Sequence, residues 1–123
     1  MENIVKVKKF GPGSNHHVIT EKTGNITAHY LQSYDSIIAQ ALFGPGGDFR
    51  RLILDGRTWD YSRTTAKHRN AFMDRYTPWG PNDTNSTTKR ISAGDILLDD
   101  LNAPFGVGYF IGHNSFLNVG GGS

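Results

Sequence analysis

The chain has 123 residues, with 13 Lys and Arg against 11 Asp and Glu, so its net charge is +2. That length fits one domain with one modest core, and the near balance excludes the dense basic coat usual in a dedicated nucleic-acid domain. No Cys is present, which removes disulfides, thiolate zinc sites and cysteine nucleophiles together.

Val5 and Val7 alternate with Lys6 and Lys8, the period of a half-buried strand. GPGSN at 11–15 predicts a turn. Residues 16–22 alternate again, with Val18 and Thr20 on one face and His17 and Ile19 on the other. Thr23-Gly24-Asn25 is a hairpin signal. It leads into a third strand, 26–34, with Ile26, Ala28, Tyr30, Gln32 and Tyr34 on one face. Residues 35–43 read two ways. Asp35 could cap a short helix, but the length also suits a strand paired across GPGGD with 50–56, and that hairpin is the expectation.

The spacing predicts a helix over Ser62–Tyr76, with Asp60 or Ser62 as its cap. Its apolar stripe is Tyr61, Thr65, His68, Phe72 and Tyr76, which leaves Arg63, Lys67, Asn70 and Asp74 outward. Pro78 and Pro81 end it and open a polar loop. A second, short helix runs from a cap at Ser86 or Thr87 to Ala93 and stops at Gly94. Residues 95–102 read as a last strand. The expected fold is therefore α+β: an antiparallel sheet of about five strands with one main helix, 62–76, packed on it and a short second helix. This single domain occupies residues 1–102. Residues 103–123 form a Gly- and aromatic-rich C-terminal extension without a charged side chain, and its closing GGGS reads as a linker. No apolar run approaches the length of a membrane span and no secretory signal is evident, so no membrane partner is expected.

Chemistry-bearing patterns are sparse. His16 and His17 are neighbours in a strand and point to opposite faces, so they read as two surface histidines on a loop edge and no metal site is expected. There is no G-x-S-x-G, and Asp99-Asp100 face apart. The loops GPGSNH and GPGGDF match no phosphate-binding pattern. The expectation is a protein that is not an enzyme and needs no cofactor. Two binding surfaces remain. Arg63, Lys67, Arg69 and Arg75 make the main helix a candidate nucleic-acid reader, with aromatics interleaved. Trp79, between two prolines, and the tail residues Phe105, Tyr109 and Phe110 are candidate protein-contact residues.

Gln32-Ser33-Tyr34-Asp35-Ser36-Ile37-Ile38-Ala39, then Trp59-Asp60-Tyr61-Ser62-Arg63-Thr64-Thr65, Lys67, Arg69-Asn70 and Phe72, then Lys89, Ile91, Gly94 and Leu101-Asn102, resemble a family of small uncharacterised proteins encoded by bacteriophages. The resemblance covers roughly residues 4–102, about a domain. It implies a phage or prophage origin and action in the bacterial host cytoplasm, and it carries over no catalytic residue. The functional expectation is a small accessory protein acting through a binding surface, most simply by modulating a host protein. The alternatives are nucleic-acid binding by the basic helix, and a minor virion or assembly component that forms a homo-oligomer through its tail.

Overall fold

The computed structural model describes residues 3–103. Five consecutive strands form an antiparallel meander: β1 (Asn3–Lys9), β2 (His16–Thr23), β3 (Ile26–Ser33), β4 (Ser36–Phe43) and β5 (Phe49–Asp55). Two helices follow, α1 (Arg63–Tyr76) and α2 (Thr84–Ala93), and then β6 (Ile96–Asp99). Strand order equals sequence order across all six strands, but β6 pairs parallel to β5. The expected sheet thus gains a strand and becomes mixed. The α1–α2 segment is the reason: it crosses over one sheet face and returns the chain to the same end from which β5 started, which is what a parallel neighbour requires. Residues 36–43 form a strand, and Asp35 lies in the preceding turn rather than capping a helix.

The helices start and stop for local reasons. Ser62 is the N-cap of α1, where its Oγ accepts from the Thr65 amide at 3.0 Å. Asp83, not Ser86 or Thr87, caps α2, in a reciprocal capping box with Ser86. Gly94 ends α2 at φ 84°, a left-handed conformation suited to glycine. Replacing Ser62 with Ala should cost about 1 kcal/mol, while Ser62→Asn should retain most of that. Equal melting points for the two variants would mean that the cap contributes nothing.

The register sorts side chains into rows that cross the whole sheet. One row on the helix-bearing face runs Lys6, Thr20, His29, Ala41, Leu52, Ile96. The next runs Lys8, Val18, Leu31, Ala39, Leu54, Leu98. Both are apolar in the middle and turn cationic at β1. Helix α1 packs over β3 and β4 and α2 packs beside β6. They bury Leu31, Ala39, Ala41, Leu52, Leu54 and Ile96 against Phe72, Met73 and Tyr76. Neither helix reaches β1, where Val5 and Val7 are exposed as well as the lysines. The first strand is therefore not half-buried as its alternation suggested. It has a polar face and an apolar face, but nothing among the described residues covers either.

The buried stripe of α1 is Thr65, His68, Arg69, Phe72, Met73 and Tyr76, and Tyr61 falls outside it at 67% exposure. His16 also departs from expectation. It is buried, with its ring stacked on that of His68 at 3.5 Å and its Nε2 against Ser33 Oγ at 2.9 Å. Helix packing brings α1 down on the first residue of β2, so this histidine becomes core. Gly11, at φ 80°, lets the β1–β2 loop pass close by, because a Cβ there would meet His68 Nε2 at 3.3 Å.

Candidate anion-binding groove

Because α1 stops short of β1, the cationic ends of the rows overhang beside it. The result is a groove of about 490 Å³ lined by Ile4, Lys6, Lys8, Thr20, Lys22 and His29, among others. Lys6 and Lys8 are two residues apart on one strand, so they share a face about 6.7 Å apart along it. Lys22 lies across from Ile4 on β2, on the same face. All three lysines are exposed. The ion pairs among the described residues join Arg50 to Asp48, Arg69 to Asp60 and Arg90 to Asp95, and none engages a groove lysine.

His29 forms the inner wall. Its Nδ1 lies 2.7 Å from Thr20 Oγ1, its ring stacks on Tyr76 at 4.3 Å, and Phe43 meets it edge-on at 5.5 Å. Burial first, and then Lys8, Arg75 and Lys22, hold its pKa down to about 4. The ring is therefore neutral at pH 7, and it registers an excess of positive charge around it. Arg75, at the end of α1, adds to the positive field at His29, and its guanidinium lies 5.6 Å from the Tyr76 ring. Charge is unevenly spread along the sheet, although Arg51 in β5 and Arg57 after it are also cationic. Strands β1 and β2 carry Lys6, Lys8, Lys9 and Lys22 against a single carboxylate, Glu21, which is buried. At the far edge Asp95, Asp99 and Asp100 surround β6, all exposed. A cluster of flexible, unpaired ammonium groups holds anions as point charges.

The candidate reader residues separate. Arg63 and Lys67 stay exposed on the outward face of α1. Arg75 is exposed and acts on His29 through its charge. Arg69 leaves the set, because its side chain is fully buried. It donates to Trp59 O at 2.8 Å, to Asn70 Oδ1 and Thr84 Oγ1 at 2.9 Å each, and to Asp60 Oδ1 at 3.3 Å. It also lies 5.1 Å from the Trp59 ring centre. These bonds tie the segment before α1 to α1 and α2, which is a structural task. Trp79 is not a free anchor either. It packs against the core, 5.3 Å from Phe49, with the Arg90 guanidinium 4.5 Å from its ring. Phe105, Tyr109 and Phe110 lie outside the described residues.

Two other buried polar clusters centre on Asp55 and Tyr30. Asp55 is buried, and burial alone would raise its pKa. The Thr58 side chain and the amides of Leu101 and Arg57 outweigh this and hold it low. With Oδ1 and Oδ2 both accepting, it pins the turn after β5 and the chain after β6. On the face opposite the helices, Tyr30 Oη accepts from Gln40 Nε2 at 3.1 Å and donates to Glu21 Oε1 at 3.5 Å. Burial raises the Tyr30 pKa first, and Glu21 raises it further. Both clusters are hydrogen-bonded networks within the sheet and its turns. Among the described residues no three His, Asp or Glu side chains converge as a metal-binding group, and no helix is long and apolar enough to cross a membrane.

Sequence reasoning missed the groove. Lys6 and Lys8 were visible as a solvated strand face, but their neighbours Lys22 and His29 are set by register across two hairpins. No curated protein and no solved structure matches the chain. A family model does match, over residues 5–93, and covers every residue named for the groove except Ile4: the chain belongs to the family of unknown function DUF8033.

Proposed function

We propose that this chain is a non-catalytic accessory protein of phage origin that acts in the bacterial host by binding nucleic acid in the groove beside α1. One observation carries the reading: Lys6, Lys8 and Lys22 line one groove with His29, and none of the three is ion-paired to a carboxylate among the described residues. A phosphodiester backbone supplies a line of anions for such a row, and it needs neither a pocket nor chemistry. The modest net charge does not oppose this, because it averages over the chain, and the one carboxylate of β1 and β2, Glu21, is buried.

The test is binding of a fluorescent thymidine oligonucleotide across a salt series. The wild-type affinity should fall steeply with salt. Replacing Lys6, Lys8 and Lys22 together with Gln should weaken binding about thirtyfold at low salt and reduce the log–log salt slope by about 2 to 3. Replacing Arg63 and Lys67 should have a much smaller effect. An unchanged slope in the triple variant refutes the groove, and a loss confined to the Arg63/Lys67 variant returns the contact to the outer face of α1.

Modulation of a host protein is favoured by a different observation. Strand β1 is a sheet edge with Val5 and Val7 exposed, a template for an added strand. The lysines along it are also the usual means of discouraging such pairing, which is why the nucleic-acid reading leads.

A further inference from the structure

We infer that His29 is the proton-linked member of the groove: when a phosphodiester occupies the space lined by Lys6, Lys8 and Lys22, the neutral ring becomes an imidazolium, so binding takes up a proton. The inference rests on the proposed nucleic-acid reading and adds a regulatory consequence to it.

The geometry carries it. His29 lies in the same cross-strand row as Thr20 and Lys6, on the inner wall of the groove. The charged groups facing it are Lys6 and Lys8 from β1, Lys22 from β2 and Arg75 from α1. The neighbours from β4 and from the end of α1 are neutral: Phe43 edge-on and Tyr76 stacked. Asp74, next to Arg75 in α1, is engaged with the amide and side chain of Asn82. In the free protein the surrounding cations and partial burial therefore oppose protonation. A bound anion attracts the charged ring, which offsets the repulsion by the surrounding cations and works against the cost of burial. Linkage then sets the direction: protonation strengthens binding as much as binding strengthens protonation. The window lies above the free-state pKa of about 4 and extends toward the ordinary histidine value, about 6.5.

The experiment uses the full chain and an oligothymidylate, whose bases do not titrate between pH 5 and 7.5. Affinity should rise about tenfold from pH 7 to pH 5, near the limit for one linked proton over part of that range. His29→Gln is scored on its own pH dependence, since the side chain lines the groove: whatever its affinity at pH 7.5, that affinity should stay flat down to pH 5. Calorimetry of the wild type at pH 5.5, in buffers of different ionisation enthalpy, measures proton uptake without any variant. Uptake near one proton is the expected result. Binding without uptake, or a rise that persists in His29→Gln, overturns the inference and leaves the groove intact. No binding at pH 7.5 by wild type is a separate failure, that of the nucleic-acid reading itself.

Discussion

Replacing Arg69 with Ala should lower the unfolding free energy by about 4 kcal/mol, more than any surface change in this chain. The side chain is fully buried, and truncation would leave a void among Trp59, Asn70 and Thr84. It would also leave the Trp59 carbonyl, the Asn70 amide oxygen and the Thr84 hydroxyl without their donor, each costing about 1 kcal/mol or more if water cannot enter. Arg69→Met restores most of the volume and none of the bonds, so about 2 kcal/mol is expected. Asp60→Ala should cost under about 1 kcal/mol, because that carboxylate is 44% exposed and 3.3 Å away. Chemical denaturation of the three variants checks the order. If Asp60→Ala equals Arg69→Ala, the ion pair governs and the hydrogen-bond account is wrong.

Acid should destabilise the protein well above the range in which carboxylates titrate. His29 and His16 both have lowered pKa values, burial being the first cause for each; the His68 and His17 charges add to the lowering at His16. Folding therefore favours the neutral rings. Their contribution is fully present above the unfolded value of about 6.5 and is lost as the unfolded chain takes up protons that the folded chain refuses. For His29 the loss runs from about 6.5 down to its folded pKa of about 4 and then stops. Because the ring is partly in contact with solvent, a combined loss on the order of 2 kcal/mol between pH 7 and pH 4.5 is expected. Asp55 acts lower, since its pKa is held below the usual 3.8. Denaturant midpoints taken from pH 7.5 to 4.5 should fall for wild type and fall less for His29→Gln. Parallel curves would show that His29 is solvated.

Much of the framework was legible because it is local. The caps, the 3.6-residue stripe and the turn glycines mark both helices and the first four strands within a few residues. The misses are tertiary. ILLD reads the same beside a parallel or an antiparallel neighbour, and only the path of α1 and α2 decides which it has. Arg69 stands at i+4 from Thr65 and i−3 from Phe72, so periodicity alone places it inward. Its charge argued for solvent, and the carbonyl and hydroxyl oxygens that receive it come from distant turns. Trp79 looked free because a loop between prolines says nothing about where it folds back. The groove needs a two-strand register and a helix that ends its coverage at β2, and neither is written in any one segment.

The uneven spread of charge has a consequence for how the molecule meets a partner. The two edges of a six-stranded sheet lie about 24 Å apart at the usual strand spacing. At physiological salt the screening length is about 8 Å. The carboxylates around β6 are thus about three screening lengths from the β1 lysines and cannot weaken their pull on an anion. For a polyanionic partner, low salt would let both ends be felt at once and favour an approach with β1 first. Net charge, the quantity that argued against a polyanionic ligand, describes neither regime; an oriented approach that fades as salt is added describes both.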